Sequence, residues 1–249
     1  MDGALRAEQI SLRGYGGHEI AAYAATPEGQ PARAGVLVIH HMPGWDPASK
    51  EIARRFAAHG YNAICPNLHH RHGPGAAPEE QAAAARAAGG TPDEQFLGDA
   101  AAALEWLRAQ PSARARNACI GYCSGGRQSF LAALSLDVQA AVVCYGAFIA
   151  ESPPPDSPIR RQPLLDRVGE LRCPVLGLFG VEDTHPSQDA VATLDRALTE
   201  ASKEHEFHSY DGAGHAFFAV DRPSYRVVAA NDGWQRVWDF FERRLDRQS

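Results

Sequence analysis

The distribution of apolar residues along the chain predicts a buried sheet. The run AGVLVIHH, from Ala34 to His41, is rich in β-branched residues and lacks polar alternation, which is typical of a strand covered on both faces. Four further runs of this kind predict four more core strands: YNAICP, NACIGY, QAAVVCYG and CPVLGLFG. The segment from His18 to Thr26 alternates and predicts an early strand at an edge, and HEFHSYDG predicts a strand late in the chain.

Helical patterns separate these strands. From Ser49 to His59 the chain places Ile52 and Phe56 on one side of a helix, and Gly60 stops it. Further helices are predicted over residues 79–88, 93–110, 127–136, 187–201 and 222–246. The proline-rich stretch 151–163 predicts a surface excursion that is too short to form a separate domain.

The alternation of strands and helices predicts the fold class. It favours an α/β fold with a mostly parallel central sheet and helices on both faces. The chain has no internal repeat and no low-complexity linker, so residues 1–249 are predicted to form a single α/β domain without a large lid. Such sheets bind ligands beyond the carboxyl ends of their strands. Every candidate residue below follows a predicted strand.

Composition narrows the class of partner. The net charge of −6 provides no basic field for a phosphate backbone, so nucleic acid is not expected as a partner. No run approaches the roughly 18 apolar residues needed to span a bilayer, and the N-terminal segment lacks the apolar core of a signal peptide. A cytoplasmic protein without a membrane partner is therefore expected. Five cysteines, an odd number, argue against a disulfide framework.

One cysteine stands in a different context from the other four, which lie in or beside apolar runs and are expected to be buried thiols. Cys123 lies in GYCSGG, between a predicted strand and a predicted helix, as a nucleophile elbow requires. Gly121 and Gly125 leave room for the sharp turn, and the helix N-terminus favours a thiolate. The N–H group of Ser124 is placed to stabilise an oxyanion. Ser124 is itself a weaker candidate nucleophile, one step from the apex.

The chain also contains a candidate base and a candidate acid in the order that this fold requires, which is nucleophile, acid and then histidine. His215 lies in DGAGHAFF, a glycine-rich loop after the last predicted strand, and is the candidate base. Asp183 follows the strand PVLGLFG and is the candidate acid that orients it. Glu182 is the main alternative to Asp183, and Asp211 is a lesser one.

These motifs resemble the dienelactone hydrolase family. The resemblance depends on GYCSGG, GVEDTHP and GAGHAFF, with HAFF…RPSY downstream, and extends from about His18 to the terminal helix. It implies an α/β-hydrolase fold, no metal or other cofactor, and hydrolysis of an enol-lactone through a thioester on Cys123. It also implies that Met42 provides a second oxyanion N–H, and that Arg71 holds the carboxylate of the substrate, although Arg71 can equally be a solvated loop charge.

The chain departs from the family pattern at two positions. His41 stands where the family has a glutamate that controls the charge of the thiol, so His41 could stabilise a thiolate directly if it faces Cys123. Ala219 stands where the family has a second arginine, and Arg222 is near but shifted. Aromatic residues near strand ends are candidates for the pocket wall, although residues of this kind more often belong to the core. They are Trp45, Tyr145, Phe148, Phe217 and Phe218.

The resulting hypothesis is a hydrolase of small esters or lactones that acts through Cys123, His215 and Asp183. A thioesterase or an acyl transferase with the same three residues is an alternative. Two histidine-rich loops, at 40–41 and 69–72, leave a metal-dependent enzyme as a lesser alternative, although their spacing matches no zinc motif. A non-catalytic binding protein is also compatible with the fold, because fold does not determine function.

Overall fold

The structure is a computed structural model that describes residues 4–29, 31–112 and 115–246. Eight strands of the described chain form one sheet in the order β1-β2-β4-β3-β5-β6-β7-β8. The pairings of β1 with β2 and of β2 with β4 are antiparallel, and all the others are parallel. The strands β1 to β8 are Leu5–Arg13, Glu19–Pro27, Gly35–Ile39, Asn62–Pro66, Asn117–Tyr122, Ala140–Cys144, Val175–Gly180 and His205–Tyr210.

Six α-helices of the described chain connect and cover these strands. Side chains cap two of them, because Asp46 accepts a hydrogen bond from the N–H of Ser49 and Ser187 accepts one from the N–H of Ala190. Within the described ranges, no helix is both long and apolar enough to cross a bilayer. The helices α1 to α6 are Pro47–Ala58, Pro78–Ala87, Asp93–Ala109, Ser124–Ser135, Gln188–Glu200 and Val227–Phe241.

The sheet buries both of its faces in two separate cores. Along β3, Leu37 and Ile39 pack in the core that contains residues of α3, α4 and α5. Their neighbours Val36 and Val38 point to the other side and pack in the core that contains residues of α1 and α6. The continuous apolar runs of the sequence therefore correspond to strands covered on both faces. The prediction of a mostly parallel sheet with helices on both sides is confirmed.

Sequence reasoning missed one strand and overextended one helix. The β1 strand pairs along its whole length with β2 at the edge of the sheet, and most of its side chains are exposed or half-buried. Because one face is solvated and carries charges, β1 lacks the apolar run that identifies the central strands. The predicted terminal helix over 222–246 begins later, at Val227, and its last residues, Glu242–Asp246, form a π-helical turn.

A buried ion pair fixes the loop after β4, and it corrects the prediction for Arg71. The guanidinium group donates two hydrogen bonds to Asp99 of α3, with Nη1–Oδ2 and Nη2–Oδ1 distances of 2.8 and 2.9 Å. It also donates to the carbonyl of Tyr15, and the N–H of Tyr15 donates to Asp99. Asp99 is fully buried. Arg71 is therefore neither a solvated charge nor free to bind a substrate carboxylate, because a buried carboxylate already occupies its paired donors.

We expect Arg71→Met to lower the free energy of unfolding by about 3 kcal/mol, because it leaves the Asp99 carboxylate buried without its cation. Chemical denaturation measures this loss. Arg108→Met is the matched control: it breaks an exposed pair with Asp137 at 3.4 Å, which contributes about 1 kcal/mol or less. Unchanged stability of Arg71→Met, together with a raised KM for anionic esters, would instead place Arg71 in substrate binding.

Candidate active site

Cys123 lies at the apex of a strained turn between β5 and α4. Its backbone has φ 57° and ψ −119°, a conformation that costs a non-glycine residue of the order of 1–3 kcal/mol. A Cβ atom on Gly121 would collide with the carbonyl of Gly125, and one on Gly125 would collide with the carbonyl of Ile39. The two glycines of the motif thus provide the space that the sequence analysis assigned to them. The turn leaves Cys123 half-buried at the carboxyl edge of the sheet.

His215 connects Cys123 to a buried carboxylate. Its Nδ1 atom lies 2.8 Å from Oδ2 of Asp183, whose side chain is 1% exposed. The side chain of His215 also forms a hydrogen bond with Cys123, for which the other ring nitrogen remains available. The second carboxylate oxygen of Asp183 accepts from the N–H of His185 at 2.9 Å. The side chains of Asp183, His215 and Cys123 are therefore linked in this order.

The loops that carry the acid and the histidine are joined by backbone contacts. The N–H of Glu182 donates to the carbonyl of Ala213 at 2.9 Å, and Gly180 lies so close to Ala213 that a Cβ atom there would not fit. Glu182 and Asp211 are both exposed, whereas Asp183 is buried against His215. The structure thus distinguishes Asp183 from the two alternatives for the acid.

The thiol and the imidazole shift each other's titration. Burial raises the pKa of Cys123, but the hydrogen bond and charge of His215 outweigh it, and the pKa lies below its ordinary value of 9.0. Burial lowers the pKa of His215, but hydrogen bonds to Asp183 and Cys123 outweigh it and raise the pKa to about 10. Each charge stabilises the other, so the contact between the two side chains favours a thiolate beside an imidazolium more than either group alone would.

Two backbone amides also act on the sulfur of Cys123. The N–H groups of Ser124 and Met42 form hydrogen bonds that lower the pKa of the thiol. Ser124 begins α4, and Met42 follows β3. Amides that converge on the sulfur can also reach an oxygen on a carbon bonded to it, which is the requirement for an oxyanion hole. These are the two donors that the sequence analysis named.

A pocket opens beside Cys123, and we call it the thiol pocket. Its wall includes Cys123, Ser124 and Met42. The rest of its wall consists of three apolar residues and three arginines: Ala147, Phe148, Ile159, Arg86, Arg127 and Arg161.

A second pocket, which we call the aromatic pocket, lies on the side of His41 and Tyr145. Tyr145 packs edge-on against His215, with ring centroids 5.1 Å apart. The hydroxyl group of Tyr122 is buried and has no hydrogen-bond partner among the residues that the structure describes. The rest of the wall is largely apolar and includes Val38, Ile52, Tyr122, Phe218, Ala219, Val220 and Trp234.

The structure corrects two of the predicted wall residues. Trp45 is buried in the core, and its Nε1–H donates to the carbonyl of Cys65 at 2.9 Å. Phe217 is fully buried and packs against Tyr145 and its neighbour Phe218, which is the one that reaches the aromatic pocket. Consecutive residues of a loop point in different directions, so the sequence could not determine which phenylalanine faces the pocket.

His41 does not act as the sequence hypothesis suggested. Its Nε2 atom lies 2.6 Å from Oδ2 of Asp46, and it lines the aromatic pocket. The groups that act on the thiol of Cys123 are instead His215 and the two amides. Burial raises the pKa of Asp46, but hydrogen bonds from His41 and Ser49 outweigh it and the pKa is lowered. His41 is thus held by a carboxylate at the pocket wall.

His40 and His69, one from each histidine-rich loop, are buried and pack against each other. His40 donates from Nδ1 to the carbonyl of His41, and its Nε2 accepts from the N–H of Leu68. Burial lowers the pKa of His40 to about 4 and that of His69 to about 2, and their rings pack edge to face at 4.8 Å. Among the residues that the structure describes, no group of three or more histidine, cysteine or acidic side chains is arranged to hold a metal ion.

Sequence reasoning missed the arginines of the thiol pocket. Arg161 belongs to the proline-rich excursion, and Arg86 belongs to the last turn of α2. The pair Arg160-Arg161 within a proline-rich segment was the available signal. Tertiary packing brings this segment to the pocket of Cys123, and no local pattern indicates it.

Comparisons with known proteins give a consistent assignment. The model of the dienelactone hydrolase family matches residues 20–245. The "Putative carboxymethylenebutenolidase" of Salmonella typhimurium is 34% identical over 247 residues, covering 96% of this chain and 88% of the relative. The crystal structure of a "Putative Dienelactone Hydrolase" from Klebsiella pneumoniae has a TM-score of 0.82 at 32% identity, and the match covers 96% of this chain and 99% of that one.

A more distant match extends the fold assignment. An acylaminoacyl peptidase from Pyrococcus horikoshii has a TM-score of 0.72 at 16% identity, with 98% of this chain and 42% of the peptidase covered. At that identity the match shows the fold alone. The family match and the relatives that are more than 30% identical show more than the fold. The chain belongs to the dienelactone hydrolase family and is a hydrolase with the α/β-hydrolase fold.

Proposed function

We propose that this protein hydrolyses small carboxylic esters or lactones through a thioester on Cys123. The observation that carries the proposal is the succession Asp183–His215–Cys123, which ends beside the N–H groups of Ser124 and Met42 at the wall of a pocket. The similar proteins are named for action on a butenolide, which is an unsaturated lactone. The proposal extends that class of ester bond to this chain.

The first half of the proposed reaction is acylation. The Cys123 thiolate attacks the carbonyl carbon and a C–S bond forms. The π electrons of the carbonyl move to its oxygen, which accepts hydrogen bonds from the N–H groups of Met42 and Ser124. When the tetrahedral intermediate collapses, the C–O bond to the leaving group breaks. The His215 imidazolium gives its proton to the departing oxygen, so an alcohol or enol leaves and a thioester remains.

The second half is hydrolysis of the thioester. Neutral His215 takes a proton from a water molecule as the water oxygen attacks the thioester carbonyl. Collapse of this intermediate breaks the C–S bond and expels the thiolate, which restores the thiolate–imidazolium pair and releases a carboxylic acid. Asp183 keeps the ring of His215 oriented through both halves and stabilises its positive charge.

We expect Cys123→Ala to lower turnover of a preferred ester by at least about a thousandfold, because the attacking atom is removed. The panel consists of a p-nitrophenyl ester, a dienelactone and an acyl thioester. Preference for the thioester would favour the thioesterase alternative. Mass spectrometry of acid-quenched wild-type protein should detect the acyl group on Cys123. A folded Cys123→Ala protein that keeps the wild-type rate would exclude Cys123 as the nucleophile.

We expect Asp183→Asn to lower kcat at least about a hundredfold, since the amide no longer holds the charge and tautomer of His215. Steady-state kinetics with a p-nitrophenyl ester measures the effect. Glu182→Gln is the matched control, because it removes the adjacent, exposed carboxylate. The assignment of the acid would be reversed if Glu182→Gln were the inactive variant and Asp183→Asn retained activity.

We expect iodoacetamide to alkylate Cys123 well below pH 9.0, the ordinary pKa of a thiol, because His215 lowers this pKa. Protonation removes the thiolate, so the rate falls as the pH decreases through the lowered pKa. In His215→Ala only burial and the amides remain, and the midpoint should move to higher pH. Labelled-peptide mass spectrometry measures both profiles, with Cys123→Ala as the blank. If the two pH profiles coincided, His215 would not be the group that lowers the pKa of Cys123.

A further inference from the structure

The wall of the aromatic pocket contains a hydroxyl group with an unused hydrogen bond. Tyr122 lines this pocket and is only 4% exposed, and its hydroxyl has no hydrogen-bond partner among the described residues. Burial raises the pKa of Tyr122 well above its ordinary value, so the hydroxyl stays protonated and can donate. Because a buried hydroxyl without a partner is destabilising, a molecule that offers it an acceptor gains a hydrogen bond at little cost.

Three other polar side chains of the same wall already have partners. His41 is bound to Asp46, and both ring nitrogens of His40 are bound to backbone groups. The hydroxyl of Ser49 donates to the carbonyl of Gly44 at 3.4 Å. These groups are held by the protein itself and need no ligand to satisfy them.

The charges on this wall cancel. Arg55 donates to Glu51 one turn away on α1, with an Nη2–Oε1 distance of 3.0 Å, and its guanidinium lies over the ring of Trp234. Within the described wall these are the two side chains with a permanent charge. A pocket that is neutral, largely apolar and rich in aromatic rings suits an uncharged ring that carries an acceptor oxygen.

Tyr145 connects this pocket to the reaction. Its ring belongs to the wall and packs edge-on against His215, with ring centroids 5.1 Å apart. The ring of Tyr122 lies 6.2 Å from the ring of Tyr145 on the inner side of the pocket. In the proposed reaction His215 protonates the leaving group, so the leaving group lies beside His215. The aromatic pocket adjoins that position.

We infer that the aromatic pocket binds the alcohol part of the ester and that the hydroxyl of Tyr122 donates a hydrogen bond to an acceptor oxygen on it. The preferred substrates are then esters of uncharged aromatic alcohols that carry a carbonyl or ether oxygen away from the ester bond. This inference rests on the proposed ester hydrolysis and adds the class of leaving group to it. Tyr122 determines specificity and takes no part in bond making.

The kinetic test uses two pairs of esters in which an acetyl group, which accepts a hydrogen bond, is replaced by an isopropyl group of similar shape, which does not. 4-Acetylphenyl butanoate and 4-isopropylphenyl butanoate differ on the leaving group. Phenyl 4-acetylbenzoate and phenyl 4-isopropylbenzoate differ on the acyl group. The ratio of kcat/KM within each pair is compared between a variant and the wild type, so intrinsic reactivity cancels.

Tyr122→Phe should lower the acetyl-to-isopropyl ratio of the butanoate pair by about threefold to tenfold, the range for loss of one hydrogen bond between uncharged groups. The ratio of the benzoate pair should change by less than about twofold. Tyr61→Phe is the matched control, because Tyr61 is buried in the same core but lies outside the pocket wall; it should change neither ratio. A selective loss in the benzoate pair would place the acyl group in this pocket and overturn the inference.

Binding of the alcohols alone separates this inference from the proposed function. Calorimetry with 4-acetylphenol and 4-isopropylphenol gives a ratio of affinities, which should fall by about threefold to tenfold in Tyr122→Phe and stay constant in Tyr61→Phe. If this ratio falls as expected but the wild type hydrolyses no ester, the subsite stands and the proposed function fails. If esters are hydrolysed but Tyr122→Phe keeps the wild-type ratios of both rate and affinity, the subsite is wrong.

The stability of the ligand-free protein provides a readout that is independent of both assays. Since the hydroxyl has no partner to lose, Tyr122→Phe should unfold in urea at the wild-type midpoint or at a higher one. A clearly lower midpoint would mean that the hydroxyl stabilises the protein through an internal hydrogen bond. It would then be unavailable to a leaving group, and the inference would be overturned.

Discussion

The site depends on close packing at the turn between β5 and α4. Without a side chain at Gly125, the first turn of α4 lies directly against the carbonyl groups of Ile39 and His40, at the end of β3. This approach brings the chain that follows β3 to Cys123, and with it the N–H of Met42. A larger residue at Gly125 would separate the sulfur from that amide, so one steric constraint determines both the strained apex and the convergence of the two donors.

A similar contact positions the other half of the site. Gly180 ends β7 against the backbone of Ala213, and the N–H of Glu182 donates to the carbonyl of that residue. The loop that carries Asp183 is therefore tied to the loop that carries His215 by the main chain as well as by their side chains. Because main-chain contacts hold both loops, the imidazole is oriented before a substrate binds, and less binding energy is needed to order the site.

Local patterns in the sequence predicted every strand except β1, and they singled out Cys123, Asp183 and His215, because each of these features has a signal of its own. Buried parallel strands give continuous apolar runs, and Cys123, Asp183 and His215 each follow such a run in the order that the fold requires. The partners of arginine residues have no comparable signal. Arg71 was assigned to a substrate because Asp99, which holds it, lies within an alanine-rich helix where nothing in the sequence marks it as buried. Arg161 was missed because a long side chain reaches the thiol pocket from a segment without regular structure.

The two departures from the family pattern are consistent with each other on electrostatic grounds. The family pattern has a glutamate and an arginine where this chain has His41 and Ala219, and both residues line the aromatic pocket. Loss of only one of the two charges would leave the other uncompensated in a partly buried pocket, at a cost of several kcal/mol. Loss of both, with His41 held by Asp46, leaves a pocket that is largely apolar.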